Sequence, residues 1–274
     1  MKISSRRNIS DKKLIVFDLD GTLTSTKAPM DAEMAGLMAH LLTVKKVAVI
    51  GGGKYGLFRT QLLQRLKALK TQGHLLKNLF LFPTTATSFY RYGRRGWKNV
   101  YALRLATGEK AKIKKAFAAV FRQANYTHPQ KVYGSVIEDR GTQVTFSALG
   151  QDVVKVLGKK RGVAMKERWL RENRAIKMKI ARMLARRLPE FEVRAAGFTS
   201  IDVTRKGITK AYGLRQIERH LGVGIREILF VGDAIFPGGN DYAVVETGVD
   251  YIPVAGPAQT KEIIRAMLKN PKKT

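Results

Sequence analysis

Short, wholly apolar runs alternate with amphipathic stretches along the first third of the chain. Leu14–Phe17, Val47–Ile50 and Leu79–Phe82 contain no polar residue, and helix-period patterns near Asp31–Leu42 and Leu57–Leu69 separate them. A strand that is apolar at every position is buried on both faces, as in a parallel sheet covered by helices, and such sheets bind ligands beyond the carboxyl ends of their strands. From about Ser88 to Thr204 the pattern changes. Polar and apolar positions alternate, as in Val132-Gly134-Val136 and Gln143-Val144-Thr145-Phe146, with helical patterns near Glu109–Gln123 and Val163–Leu188. Alternation with period two predicts strands with one wet face, here an antiparallel sheet backed by two helices. After a helix near Thr209–His220, the runs Ile225–Gly232 and Tyr251–Val254 restore the buried character. The expected fold class is α/β: a Rossmann-like, doubly wound parallel sheet interrupted by an inserted α+β domain with an antiparallel sheet. The expected boundaries are a disordered tail over 1–11, a first core segment over 12–86, the insert over 87–205 and a second core segment over 206–274.

Composition narrows the chemistry. The 274 residues, 45% hydrophobic, suffice for a sizeable core. No apolar run approaches the roughly 18 residues of a membrane span, and the N-terminal MKISSRRNISDKK lacks the apolar stretch of a signal peptide, so a cytoplasmic location is expected. The absence of cysteine excludes disulfides, thiolate catalysis and Cys-ligated zinc, and four scattered histidines leave carboxylates as the metal ligands on offer. The charge is lopsided: 51 Lys and Arg against 21 Asp and Glu, a net +30, with no acidic residue from Met34 to Gly108. Such a field attracts phosphorylated substrates and allows non-specific adhesion to nucleic acid. The densest basic stretch, Lys159 to Arg187, reads as an amphipathic helix with Trp169, Ile176, Ile180 and Leu184 toward a core and its charges solvated. No zinc finger, RNP-like aromatic motif or helix-turn-helix pattern is present, so specific nucleic-acid binding is not expected.

Two acidic loops leave buried strands. After Leu14–Phe17 comes Asp18-Leu19-Asp20-Gly21-Thr22. In an extended chain residues i and i+2 point the same way, so Asp18 and Asp20 converge, and Gly21 permits the turn. Their mutual repulsion is relieved by a hard cation with oxygen ligands, Mg2+ being the usual one, which also screens an incoming phosphate from the attacking carboxylate. The plainer reading is a strand ending in an Asx-type turn. After Ile228–Val231 comes Gly232-Asp233, followed by Pro237-Gly238-Gly239-Asn240-Asp241. If both strands are neighbours, Asp233 completes an oxygen shell with Asp18 and the Asp20 carbonyl, while Asn240 or Asp241 fixes the loop or metal-bound water. Gly51-Gly52-Gly53-Lys54-Tyr55-Gly56 has the spacing of a dinucleotide loop, yet residues 57 to 82 lack the acidic residue expected about 20 positions later. It reads either as an N–H cradle for a phosphate oxygen or as a tight turn. Lys210, opening the helix where the chain returns from the insert, is a candidate to stabilise charge on phosphate and nucleophile, with Lys206 as its competitor.

In chain order, DLDGT, the Gly51 loop, Lys210 and GDAIFPGGND resemble the four motifs of the haloacid dehalogenase superfamily of phosphotransferases, in the subclass with a large α/β cap. Gly51-Gly52, Ile201-Asp202-Val203 and Pro237–Asp241 resemble eukaryotic-type phosphomannomutases more closely than generic members, over residues 12 to 268. The resemblance implies that Asp18 is the nucleophile that forms an aspartyl-phosphate, that Asp20 is the general acid and base, and that Asp18, Asp20 and Asp233 hold Mg2+. It also implies substrate contacts from Gly51, Gly52, Lys27, Arg140, Ser200 and Asp202. The match departs from the family where Tyr133 and Gln151 stand in place of arginines and Gly53 in place of a serine. Losing two bidentate donors weakens the grip on a second phosphate, which a mutase must hold and a phosphatase need not. The expected function is therefore a Mg2+-dependent phosphohydrolase acting on a small phosphorylated metabolite such as a sugar phosphate. The alternatives are a phosphomannomutase interconverting mannose 1-phosphate and mannose 6-phosphate, and a non-catalytic anion- or RNA-binding protein. No membrane partner is expected, and a homodimer through the cap stays open.

Overall fold

The computed structural model describes residues 11–25, 28–69 and 73–269. The expected tail lies, apart from Asp11, outside the described residues. Chain contacts divide the molecule into two compact units, one of residues 1–102 and 209–274, the other of residues 103–208.

In the first unit the strands β1 (Leu14–Asp18), β2 (Lys46–Ile50), β3 (Leu79–Phe82), β4 (Ser88–Gly93), β5 (Gly96–Ala102), β10 (Ile228–Gly232) and β11 (Asp250–Pro253) form one seven-stranded sheet in the order β11-β10-β1-β2-β3-β4-β5. The pairs from β11 to β3 are parallel, and β4 and β5 add to the sheet antiparallel. The apolar runs are continuous because both faces are covered. Ile15, Phe17, Val47 and Val49 pack with residues of the helices Ala32–Val44 and Pro257–Lys269, whereas Leu14, Val16, Ala48 and Ile50 pack with Leu214 and Ile217 of the helix Lys210–Leu221. Asp31 caps the helix Ala32–Val44 by accepting from the Met34 N–H at 2.8 Å, and Thr209 does the same for Tyr212 at 3.1 Å at the start of Lys210–Leu221.

The strands β6 (Ile137–Asp139), β7 (Val144–Ser147), β8 (Phe191–Ala196) and β9 (Ser200–Arg205) make the second unit's antiparallel sheet, in the order β6-β7-β9-β8. The helices Thr107–Gln123 and Lys159–Arg187 cover one face, with Ile113, Phe117, Trp169, Ile180 and Leu184 packed on Phe146, Ile201 and Val203. Among the described residues no helix is long and apolar enough to cross a membrane.

Two expectations change. Residues 88–102, read as the start of the insert, belong to the large sheet: Leu81 pairs with Tyr90, and Phe89 stacks on Phe82 at 4.5 Å. Alternation marks a strand with one exposed face, and the rim of the large sheet satisfies that condition as well as a separate sheet does. The insert unit accordingly starts at Leu103 and runs to Ile208. The stretch Val132–Val136 is not a strand; Gly134 has φ +77°, outside the extended region, in space where a Cβ would meet the Asp152 carboxylate. The helix expected near Leu57–Leu69 is present as one continuous run, Tyr55–Phe58, a wider turn over Arg59–Leu63, and Gln64–Ala68.

The helix that carries Lys210 approaches the sheet closely at Gly213, where an added Cβ would stand 2.9 Å from Ile50 Cδ1 and 3.0 Å from the Ala86 Cβ. Gly213→Leu is expected to lower stability by about 1–3 kcal/mol through overpacking. Gly36→Ala, at an exposed position of the helix Ala32–Val44 with open space around it, is expected to raise stability by roughly 0.5–1 kcal/mol. Urea unfolding of both variants against the parent checks the pair.

Candidate active site

β1 and β10 lie side by side and parallel, with Phe17 level with Val231, so Asp18 and Asp233 leave neighbouring strands at the same edge. The strand order reverses between these two strands, with β2 and β3 on one side and β11 on the other. A crevice at such a switch point is the ordinary ligand site of an open α/β sheet. The Gly21 turn brings the first loop against the second: with φ +93°, it occupies a place where a Cβ would lie 2.3 Å from Asp233 Oδ2. Thr22 Oγ1 donates to Asp233 Oδ1 at 3.2 Å.

Lys210 ties the pieces together. Its Nζ donates to Asp18 Oδ1 at 2.5 Å and to Asp241 Oδ1, and it lies 5.8 Å from the centre of the Phe230 ring. Asp18 is 3% exposed, Lys210 1% and Asp241 0%. The other oxygen of Asp241 accepts the Ala234 N–H at 3.1 Å, which fixes the second acidic loop. Carboxylate oxygens of Asp18, Asp233 and Asp241 lie within 4.8 Å of one another.

The electrostatics follow from burial. Desolvation pushes the Asp18 carboxyl well above the usual range, and the negative neighbours Asp241 and Asp233 push the same way against the Lys210 ammonium. Asp233 is raised first by burial and then by Asp241. For Lys210 burial disfavours the charge, but Asp18 and Asp241 outweigh it and hold the ammonium charged. Three carboxylates around one ammonium leave two negative charges when all are ionised. That residual charge and the all-oxygen donor set fit a hard divalent cation such as Mg2+.

Asp20 is turned differently from Asp18. Its Oδ1 accepts from Gln61 Nε2 at 3.1 Å, and its side chain is not in the close carboxylate cluster. Asp241, not Asn240, meets Lys210; Asn240 is exposed. Lys206 is exposed and donates to the Pro189 carbonyl at 3.0 Å, within the insert unit. The Gly51 loop is not an open cradle at its first residue, because the Gly51 N–H is already given to the Phe82 carbonyl at 3.3 Å. Gly51 sits where a Cβ would come within 3.1 Å of Phe58 and 3.2 Å of Leu19, so its role is close packing. Lys27 lies outside the described residues. Within the insert, Arg140 donates from Nε to Glu138 at 2.8 Å and from Nη2 to Gln151 at 3.0 Å, Asp202 accepts from Thr145 Oγ1 at 2.8 Å, and Ser200 pairs with Ser147 and Ala196 across the sheet.

Two features carried no sequence signal. Gln61, a buried amide in an apolar helical stretch, reaches back 41 residues to orient Asp20. Thr84, Thr85 and Ala86 follow β3 in the left-handed region, with φ of 50°, 56° and 64°. Left-handed backbone costs about 1–2 kcal/mol per residue other than glycine. The turn is held by Thr84 and Thr85 N–H groups bonded to the Gly53 and Gly51 carbonyls at 2.9 Å, and by Tyr101 Oη donating to the Ala86 carbonyl. Strain of this kind gathers where a loop is shaped for a ligand.

Phosphomannomutase of Encephalitozoon cuniculi is 26% identical over 265 residues, 94% of each chain. A probable phosphomannomutase of Caenorhabditis elegans is 25% identical, covering 95% of this chain and 97% of its own. Among solved structures, an N-terminally truncated IMP-nucleotidase of Plasmodium falciparum superposes with a TM-score of 0.68 at 15% identity, covering 94% of this chain and 71% of that one. The family model for eukaryotic phosphomannomutase matches residues 34–270. The chain is an enzyme of the eukaryotic phosphomannomutase family, within the haloacid dehalogenase superfamily of phosphotransferases and phosphatases.

Proposed function

We propose that this enzyme is a Mg2+-dependent phosphohydrolase that releases phosphate from a small phosphorylated metabolite, a sugar phosphate, through an aspartyl-phosphate on Asp18. The observation that carries this reading is the buried cluster of Asp18, Asp233 and Asp241 around Lys210 at the ends of two adjacent parallel strands. Asp18, Asp233 and the Asp20 carbonyl would hold Mg2+. When bound, the ion supplies positive charge that lets a carboxylate approach a phosphate.

Asp18 attacks phosphorus, and the bond to the substrate oxygen breaks as Asp20 protonates that oxygen. Asp20, now a carboxylate, takes a proton from water, whose oxygen attacks the acylphosphate and returns Asp18 to its starting form. Gln61 orients Asp20 for both proton transfers through its 3.1 Å hydrogen bond. Lys210 holds one Asp18 oxygen, aims the other at the substrate and offsets the charge that builds up during transfer. Polar residues of the insert, Arg140, Ser200 and Asp202, recognise the part of the substrate that is not transferred.

Family membership favours a second reading, a phosphomannomutase in which a sugar hydroxyl replaces water. A mutase must retain a bisphosphate intermediate while it turns over, and here Arg140 is occupied by Glu138 and by Gln151, itself standing where the family has an arginine. A weaker hold on a second phosphate supports water as the acceptor.

A panel of sugar phosphates assayed for phosphate release is expected to show Mg2+-dependent hydrolysis. With mannose 1-phosphate and a catalytic hexose bisphosphate, free phosphate should exceed mannose 6-phosphate; predominant isomerisation overturns the hydrolase reading. Asp18→Asn should abolish turnover of p-nitrophenyl phosphate, and retained activity would remove Asp18 as the nucleophile. Lys210→Met leaves buried carboxylates without their cation, so in chelator-treated protein the unfolding free energy should fall by about 3–5 kcal/mol, as measured by denaturant titration.

A further inference from the structure

The helix Lys159–Arg187 presents its positive charge to solvent as one narrow stripe. At about 100° per residue, Arg161, Arg168, Arg171, Lys179, Arg182 and Arg186 fall within an arc of roughly 80°. Ala164 and Ala175 fill the rest of that arc, and every residue in it is exposed. The stripe therefore holds only Arg, Lys and Ala over a rise of about 37 Å. Trp169, Ile180 and Leu184 take the other side of the helix, in the insert's apolar core, so the stripe points away from the four-stranded sheet. On the same side of that sheet, Lys115 and Arg122 of the helix Thr107–Gln123 line, together with Arg187, a groove of about 850 Å³.

A helix face that serves solubility alone mixes its signs. Elsewhere the chain does so: Lys261 meets Asp31 and Glu33, and Arg265 meets Glu33. Along the stripe only Arg168 has such a partner among the described residues, Glu172 at 2.8 Å, and both members of that pair are exposed, so its hold is weak. Like charges three or four residues apart, as in Arg168 with Arg171 and Arg182 with Arg186, work against the helix. So does its start. Lys159, Lys160 and Arg161 occupy a first turn that has no acidic residue, at the end where the helix dipole favours anions. The arrangement costs local stability, and a polyanion lying along the stripe relieves that cost at each cation.

The composition of the surface selects the polyanion. A helix that lies on a membrane turns Trp, Phe or Leu toward the lipid, and a protein interface centres on aromatic or apolar anchors. Single-stranded nucleic acid is held by bases stacked on aromatic rings. The stripe offers none of these, and the exposed large apolar residue of this helix is Met178. The phosphates of a duplex require only cations, the alanines let the backbone come close, and the stripe matches one duplex turn of about 34–36 Å. We propose that the exposed face of the helix Lys159–Arg187 binds duplex nucleic acid through its phosphates, without reading base sequence. The proposal is independent of the phosphoryl-transfer reading, because the stripe lies within the insert unit and shares no residue with the substrate contacts assigned above.

The test follows the anisotropy of a labelled DNA duplex about two turns long, titrated with the full chain between about 50 and 200 mM salt. A variant combining Arg171→Gln, Lys179→Gln and Arg182→Gln loses three phosphate contacts, so the slope of log K against log salt should shrink by about 2.7. The pair Arg161→Gln and Arg186→Gln, at the ends of the stripe, should shrink it by about 1.8 and gives a second reading if the triple variant does not fold. Arg94→Gln, Arg95→Gln and Lys98→Gln together remove the same charge from exposed positions of the first unit and should leave the slope at the parent's value. Equal losses in the stripe and control triples overturn the proposal, because net charge alone then drives adhesion. It is also overturned if the parent fails to bind the duplex at the lowest salt, or holds the single strand of the same sequence more tightly. Binding to phosphatidylserine vesicles that the stripe variant loses while its duplex binding persists assigns the surface to a membrane instead and overturns it as well.

Discussion

A single buried ammonium organises the first unit. Lys210 joins Asp18, 192 residues earlier, to Asp241, 31 residues later, so the strand before the insert and the loop near the end of the chain are fixed by one side chain. Breaking a buried ion pair by removing one partner typically costs about 3–5 kcal/mol, because the remaining charge is neither hydrated nor paired. The surrounding fold follows from that constraint. β1 and β10 must be neighbours, the chain must re-enter the sheet through a helix whose first residue is Lys210, and Gly213 must let that helix lie close to Ile50 and Ala86. The residual negative charge of three carboxylates suits a hard divalent cation.

The insert has its own core and its own logic. Two helices seal one face of its four-stranded sheet with Phe117, Trp169 and Leu184, while Glu138, Thr145, Asp202 and Arg194 line up on the other. By the sequence resemblance, Arg140, Ser200 and Asp202 stand where the family has substrate contacts, and Tyr133 and Gln151 stand where two arginines are expected. Gln151 accepts a hydrogen bond from Arg140 instead of adding a cation.

Much of this was legible before folding was considered. The wholly apolar runs identified β1, β2, β3 and β10, because a strand buried on both faces must be apolar at every position, and the acidic loops stood at the exits of two of them. Thr209 and Asp31 marked helix starts because a capping oxygen acts on N–H groups only three residues away. The placement of β4 and β5 was not legible. Their alternating pattern records one exposed face, and only the pairing of Leu81 with Tyr90 shows which sheet supplies the other.

Within the site, chain order and residue type singled out Asp18, Asp20, Asp233 and Lys210, because the turn after a buried strand is a local event written in adjacent residues. Only the tertiary structure decided between Asp241 and Asn240, dismissed Lys206, closed the Gly51 N–H onto Phe82, brought Gln61 to Asp20 and set Arg194 opposite Asp202. Each of these depends on a partner dozens of residues away. Periodicity and turn chemistry specify which face a side chain takes along its own element, whereas the group it meets there is determined by how the sheets are ordered and registered.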